Sequence, residues 1–313
     1  MRLRGLAAQV ALVAAVAAAL AYLAANAAHH LETRGIASGF AFLAREAGFE
    51  IGETSGLAYS AADSYARALV VGVANTLRVA AAGVVLATLL GLALALARLS
   101  RNALAASLAG AYVEFVRNVP LLVQLFFWYA WITESLPGPR AALEPLPGVY
   151  LSNRGLALPT PWSRPVLDGF NFTGGLTLTP EFAALLLGLT AYTAGFIAEI
   201  VRAGLLSVRR GQWEAALSLG LSRRAALRHV VLPQALRAIV PPLTSQYLNL
   251  TKNSSLAVAI GYPDLVSVVN TTINQTGQAI EGIAILMAAY LTVSLAISAL
   301  MNAYNRRVAL RGG

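Results

Sequence analysis

The chain has 313 residues, of which 58% are hydrophobic and only 12% are charged, and its mean hydropathy is +0.65. Soluble domains carry about 25% charged residues, so this composition excludes an ordinary soluble domain and indicates a membrane protein. The net charge is +9, and Lys252 is the only lysine, so nearly all of the positive charge is arginine. Arginines clustered between apolar runs are typical of cytosolic loops rather than of a nucleic-acid surface.

Several classes of chemistry lack their usual residues. Cysteine is absent, and the three scattered histidines are too few to predict a metal centre. The phosphate-binding loop that ends in Gly-Lys-Ser/Thr is also missing, because the single lysine follows Thr251. Neither a zinc-protease nor a serine-hydrolase motif occurs. We therefore predict that the chain is not an enzyme and carries no cofactor of its own.

Six apolar stretches have about the length of a membrane span. The first, Leu6 to Ala28, resembles the core of a signal peptide, but its length and the lack of a clear cleavage site favour a retained span. The others are Val70 to Ala97, Ala103 to Ile132 with a break at Pro120, Phe182 to Leu206, Ala235 to Ile260 and Ile283 to Tyr304. The predicted fold class is an all-α polytopic membrane protein with about six transmembrane helices.

The arginines predict the orientation of these spans. With six spans, the arginine-rich segments all fall on one side, which is then the cytosol. These segments contain Arg2 and Arg4, Arg98 and Arg101, Arg209 to Arg237, and Arg306, Arg307 and Arg311. Both termini are therefore predicted to be cytosolic. Cleavage of the first stretch would leave the same loops in the cytosol, so the pattern does not separate five spans from six.

The chain divides into three predicted parts. Residues 1–69 form an N-terminal span followed by a periplasmic amphipathic segment, and residues 306–313 form a cytosolic tail. Residues 70–305 form the membrane core between them. Within the core, 136–180 are rich in Pro and Gly and predict a periplasmic insert, and 207–234 predict a cytosolic loop.

The cytosolic loop has the pattern of two short helices. Gln212 to Leu219 predict the first helix, and Gly220 stands where a helix C-terminus favours a positive φ. Ser222 is a suitable N-cap for a second helix that runs to Leu232 and is ended by Pro233. An amphipathic turn that lies on the lipid headgroups is the alternative interpretation.

One face of the first helix is suited to contact with another protein. Ala216 and Gly220 are four residues apart, so small residues share a face that another backbone can approach closely. Trp213 and Leu217 supply apolar anchors of the kind that dominate interface energies.

Three groups of residues in and after this loop resemble a known family. Glu214-Ala-Ala, then Gly220, then Leu232-Pro233 resemble the EAA loop of ABC importer permeases. Residues 112–124 and 191–204 resemble the polar amino acid branch of that family, and the N-terminal extension and the insert resemble general L-amino acid importer subunits. The resemblance covers roughly residues 70–305 and implies the type I ABC importer permease fold.

The resemblance also implies a function and a set of partners. The chain would be a permease subunit in the bacterial inner membrane, importing amino acids delivered by a periplasmic binding protein. A paralogous permease chain would complete a heterodimeric pore, and two ATPase subunits would hold the ATP and magnesium. The loop would dock on the ATPase as a coupling helix through Trp213, Glu214, Ala215, Ala216, Leu217, Gly220, Arg223 and Arg224.

Two Glu-x-x-Arg pairs lie near the predicted cytosolic ends of their spans. Glu114 and Arg117, and likewise Glu199 and Arg202, are three residues apart and therefore share a helix face. Charges near lipid are costly unless they are paired or face water. The pairs are structural salt bridges or gate anchors in one interpretation, and direct substrate contacts in the other.

The fifth span carries an unusual polar stripe. The predicted span is interrupted early by Pro241-Pro242, and polar residues recur after it at spacings of three and four. Such a stripe must face protein or water, so it predicts either a substrate pathway or interhelical hydrogen bonding. The predicted pathway residues are Gln246, Asn249, Lys252, Asn253 and Ser254, together with Tyr192 on the fourth span.

Two other functions compete with the ATP-driven importer. An ion-coupled secondary transporter also uses broken polar helices, although it favours inverted repeats and buried carboxylates that this sequence does not clearly show. A structural or assembly subunit that moves no substrate is the third hypothesis.

Overall fold

The structure is a computed structural model, and it describes residues 2–33 and 38–309. Over these ranges it contains ten α-helices: α1 Arg2–Thr33, α2 Tyr65–Arg98, α3 Ala103–Asn118, α4 Leu121–Ala130, α5 Pro180–Leu206, α6 Arg210–Ser218, α7 Arg223–Ala226, α8 Leu232–Asn253, α9 Leu265–Thr276 and α10 Ala279–Ala309. A π-helical turn, Trp131–Ser135, extends α4, and another, Leu227–Val231, joins α7 to α8. A 3-10 turn, Ser254–Ile260, extends α8. The end of the predicted tail, residues 310–313, lies outside the described range.

Three of these helices, α2, α5 and α10, are each long and apolar enough to cross a membrane. The α3–α4 pair bends by 104° and the α8–α9 pair by 53°, and counting each pair as one span gives up to five among the described residues. The break that the sequence predicts at Pro120 is the α3–α4 bend. The first predicted span lies within α1, whose apolar stretch Gln9–Leu23 is shorter than the other five.

The centre of the fold is the contact between α2 and α5, where glycines allow close approach. A Cβ at Gly91 of α2 would lie 2.7 Å from a carbon of Ile197 on α5. Three glycines of α5 make similar contacts with α4, α3 and α8: Gly188 with Leu125, Gly195 with Val116, and Gly204 with Ile239. Small residues at helix crossings are how helices pack closely in membranes.

The insert between α4 and α5 is β-structure, which corrects the all-α prediction in this region. Strands β1 Leu143–Leu146, β2 Val149–Ser152, β3 Gly155–Leu158 and β6 Leu176–Leu178 form an antiparallel sheet in that order, and β4 Val166–Asp168 pairs with β5 Asn171–Thr173. Gly155, with φ at +104°, lies so close to the Leu178 carbonyl that a Cβ would be 2.0 Å from it. Strands of three or four residues are too short for a clear alternating pattern, so the sequence analysis missed them.

Residues 38–64, which we call the strap, lie in the predicted amphipathic segment. They pack against the helical core. The strap begins with a 3-10 turn at Phe40–Ala44, and it buries Phe42 and Ile51 against α2 and α9. The Tyr59 hydroxyl donates to the Phe49 carbonyl at 2.8 Å. Burial, helped by the nearby carboxylates of Glu50 and Asp63, raises the pKa of Tyr59.

Two predicted breaks at proline are wrong. Pro233 does not end the second loop helix, because a π-helical turn links α7 to α8 and the proline falls in the first turn of α8, where its missing N–H is tolerated. Pro241 and Pro242 lie inside α8, which continues through both to Asn253. Both are exposed, and membrane helices tolerate proline when neighbouring groups satisfy the freed backbone.

These elements define two ends of the molecule. The basic end carries the C-termini of α2 and α5 together with α6 and α7, and it exposes Arg209, Arg210, Arg223, Arg224 and Arg228. The insert end carries the β-sheet, the strap and the first residues of α2 and α5.

Candidate functional site

The predicted loop folds as a helical hairpin, α6 and α7, at the basic end. Two hydrogen bonds close α6: the Gly220 N–H donates to the Leu217 carbonyl at 3.0 Å, and the Leu221 N–H donates to the Ala216 carbonyl at 3.2 Å. This is a Schellman cap, and it holds Gly220 at φ +81°. Ser222 then caps α7 by accepting from the Ala225 N–H at 3.3 Å. Both predicted caps are therefore confirmed.

The hairpin divides the predicted docking residues into an outer and an inner set. Glu214, Ala215, Gly220, Arg223 and Arg224 are exposed, and Trp213 and Leu217 are half-buried. Ala216 is the exception, because it is only 3% exposed and packs inside the hairpin. Ala216 therefore lets α6 pack closely against the rest of the hairpin, and its side chain is not accessible to a partner. The sequence analysis missed Leu219, whose 84% exposure makes it the most prominent apolar side chain of the hairpin.

A three-residue ion cluster joins α2 to α5 at the basic end. Glu199 accepts hydrogen bonds from Arg202, its predicted partner on α5, and from Arg98 at the end of α2. All three side chains are between 19% and 30% exposed, so the cluster is partly screened by solvent. The sequence analysis found the first pair and missed Arg98, because nothing in the sequence shows that the two helix ends meet.

The other predicted pair is not joined. In the described part of the chain no salt bridge links Glu114 to Arg117. Arg117 instead lies over the ring of Phe196 on α5, with its guanidinium carbon 5.0 Å from the ring centroid. This is cation–π geometry, and it leaves Glu114 exposed on α3.

The polar stripe lies along α8 as the spacing predicts. Asn249 and Lys252 are exposed and Gln246 and Asn253 are half-buried. Over the described residues, none of these four side chains makes a hydrogen bond or salt bridge, so they do not hold this chain's own helices together. The stripe is free to face water, substrate or another chain.

Two predicted pathway residues are placed differently. Ser254 is fully buried and its hydroxyl donates to the Thr251 carbonyl at 2.7 Å, so it belongs to the turn that ends α8. Tyr192 lies on α5 beside Phe196, with ring centroids 5.0 Å apart, and is half-buried against the core.

A polar cluster at the insert end was missed by the sequence analysis. The Glu53 carboxylate, on the strap, forms a salt bridge with Arg78 of α2 and accepts from the Thr179 hydroxyl at 2.7 Å. The Asn75 amide donates to the backbone carbonyls of Glu53 at 2.7 Å and of Pro263 at 2.8 Å. The cluster ties the strap to α2, to the start of α5 and to the corner before α9. Among the described residues no group of His, Cys, Asp and Glu could hold a metal ion.

Known proteins share this architecture. The model of a family described as the binding-protein-dependent transport system inner membrane component matches residues 83–310. The permease protein YhdX of Escherichia coli (strain K12) is 44% identical, over 96% of this chain and 93% of its own. The general L-amino acid transport system permease protein AapQ of Rhizobium johnstonii is 42% identical, over 92% of this chain and 88% of its own. A crystal structure of an amino acid ABC transporter with histidines has a TM-score of 0.59 at 28% identity, covering 78% of this chain and 95% of that one.

The helical core therefore has the type I fold of ABC transporter permeases, which are membrane proteins. The chain belongs to the family of binding-protein-dependent transport system inner membrane components. Family members of this kind work with ATPase subunits and substrate-binding proteins.

Proposed function

We propose that the chain is the permease subunit of a binding-protein-dependent ABC transporter that imports amino acids across the bacterial inner membrane. The substrate class is supported by the relatives, since AapQ is described as a general L-amino acid permease and the matched crystal structure as an amino acid transporter. The open stripe on α8 suits such a substrate. Amides and a lysine offer donors and acceptors to the ammonium and carboxylate groups of an amino acid.

The hairpin at the basic end is the proposed ATPase contact. The observation that supports this contact is the exposure of the hairpin side chains. Glu214, Ala215 and Leu219 present a mixed polar and apolar surface, and Arg223 and Arg224 add positive charge beside it. In this proposal the basic end is cytosolic, as its arginines favour, and both termini lie on that side. ATP and magnesium are bound by the partner ATPase, and closure of the ATPase pair moves the hairpin.

The remaining partners follow from the same proposal. A paralogous permease chain faces this one and completes the pore, with Asn249 and Lys252 directed towards the space between them. A periplasmic binding protein delivers the amino acid to the insert end. The Glu199 cluster, by joining α2 to α5 close to the hairpin, transmits the movement of α6 into the bundle.

The direct test is reconstitution of the assembled transporter in proteoliposomes. We expect uptake of amino acids that requires ATP, the ATPase subunits and the binding protein, and that continues when ionophores collapse the ion gradients. Uptake driven by an ion gradient without any ATPase subunit would instead support the secondary transporter. Assembly with the ATPase but no uptake and no substrate-stimulated hydrolysis would support the structural subunit.

The hairpin contact is tested by a pair of substitutions at Gly220. Gly220→Val places a β-branched residue at φ +81°, which such residues avoid, and we expect it to lower uptake and ATPase stimulation by about tenfold, which corresponds to about 1.4 kcal/mol of coupling. No atom of the chain lies within 4 Å of a Cβ at this position, so no internal clash is expected. Asparagine tolerates a positive φ, so Gly220→Asn keeps the cap. It therefore shows whether a side chain at this position obstructs the docking surface by itself. Unchanged transport in the valine variant would contradict the docking role.

A further inference from the structure

An apolar cavity of about 230 Å³ lies between the insert sheet and the helix ends beneath it. Leu151, Leu156 and Leu178 line its sheet side, and Trp131, Ala183 and Leu187 line its helix side. Leu156 and Leu178 are cross-strand partners on β3 and β6, so their side chains share one face of the sheet. The next pair along these strands, Ala157 and Thr177, points to the opposite face.

The chemistry of this lining selects the kind of ligand. Water gains little from such a site, because it finds no polar partners there. The side chains that line an empty apolar cavity have no atoms to contact on that side and lose dispersion interactions. An apolar ligand would restore these interactions and stabilise the structure. A polar or charged ligand would lose its hydration without gaining hydrogen bonds.

The position of the cavity identifies the source of that ligand. Trp131 and Leu187, at its rim, are each 41% exposed. The outer surface of α4 continues from Trp131 through Phe127 and Phe126, which are 60% and 47% exposed. Both α4 and α5 belong to candidate membrane spans. The cavity is therefore continuous with the apolar surface that the bilayer covers, at the level where tryptophan marks the membrane interface.

We propose that this cavity binds the acyl chain of a membrane phospholipid from the leaflet at the insert end. The chain enters past Trp131 and Leu187 and packs beneath Leu156 and Leu178, so that the lipid holds the sheet against the membrane. The proposal does not depend on which substrate the transporter carries.

Photolabelling of the assembled transporter in nanodiscs tests the proposal. The nanodiscs contain a phosphatidylcholine with a diazirine at the end of one acyl chain, and the labelled residues are mapped by mass spectrometry. We expect label on Leu156 and Leu178, which lie in the extramembrane sheet, as well as on the outer face of α4. Thr177, one residue from Leu178 on the opposite face, is the internal control and should remain unlabelled.

A cavity-filling variant gives a second measurement. Ala183→Phe places a ring in the cavity, and label on β3 and β6 should fall to background while label on Phe127 persists. Ala130→Phe, on the exposed side of α4, is the matched control and should leave the pattern unchanged. If Ala183→Phe fails to fold, the pattern of the unmodified chain decides the question.

Two results would overturn the proposal. Label confined to α4 and α5 with none on the sheet would show that acyl chains do not enter the cavity. Crosslinks to a second permease chain from a photoreactive amino acid placed at Leu156 would show that protein, rather than lipid, occupies it.

Discussion

At the residue scale, Glu53 is the charged link between the strap and the membrane core, beside the apolar contacts of Phe42 and Ile51. Its side chain is only 9% exposed, forms a salt bridge with Arg78 and accepts a hydrogen bond from the Thr179 hydroxyl. We expect Glu53→Ala to lower the free energy of unfolding by about 1–3 kcal/mol, because a hydrogen bond to a charged group and the charge partner of Arg78 are both lost. Thermal unfolding in detergent measures the change. Glu50→Ala is the control, since Glu50 is exposed on the same strap, and an equal loss in both variants would contradict the role of Glu53.

The Glu199 cluster should behave as a smaller, salt-sensitive contribution at the basic end. Glu199→Gln removes the charge that Arg98 and Arg202 share, and we expect it to lower the free energy of unfolding by about 1 kcal/mol because the cluster is partly exposed. The difference from the unmodified chain should shrink in high salt. Glu114→Gln is the comparison, because Glu114 is exposed and makes no salt bridge in the described part of the chain. Equal destabilisation by both changes would contradict the assignment.

Residue-level prediction from the sequence succeeds where the partners are close in the chain. The caps at Gly220 and Ser222 depend on groups within five residues, and the sequence analysis found both. The Glu53 contacts span 25 and 126 residues, and no local pattern connects such positions. For the same reason Glu199 was paired with its neighbour Arg202 but not with Arg98, which is 101 residues away.

At the element scale, the α2–α5 contact leaves no room for an added side chain at Gly91. Gly91→Val would drive a side chain into Ile197, from which even a Cβ lies only 2.7 Å away, and we expect a loss of about 1–3 kcal/mol from overpacking. Gly110→Val on α3 is the matched control, because no atom lies within 4 Å of a Cβ there. The unfolding temperature of each purified variant is the measurement, and similar temperatures would argue against close packing at Gly91.

Elements were predictable in proportion to their length. The long apolar helices α2, α5 and α10 dominate any hydropathy window, whereas β4, β5 and β6 have three residues each. The prediction at Pro241 and Pro242 failed because α8 continues through both prolines, as membrane helices can where neighbouring groups satisfy the freed backbone. The position of the polar stripe was found correctly, but its sequence could not show that Ser254 is buried by the turn that follows α8.

At the scale of the whole molecule, the two ends have different kinds of surface. The basic end presents a small helical hairpin with exposed arginines, and the insert end presents a sheet and a strap that is attached through the Glu53 carboxylate and through buried apolar side chains. The hairpin caps and the Glu199 cluster fix the local geometry of the basic end, where our proposed function places the ATPase contact. The packed strap shows that the N-terminal extension contributes to the core from Phe42 onwards.

Of that extension, we expect the core to need the strap but not α1. Every described side chain of α1 is exposed, whereas Phe42 on the strap is only 1% exposed and packs with Tyr65 and Leu265. We therefore expect that a chain starting at residue 38 unfolds within a few degrees of the full chain. Phe42→Ala in the full chain should lower the free energy of unfolding by about 3–5 kcal/mol, because a large cavity is left between the strap and α2. Thermal unfolding in the same detergent compares the two, and a truncated chain that is less stable than the Phe42→Ala variant would show that α1 packs on the core.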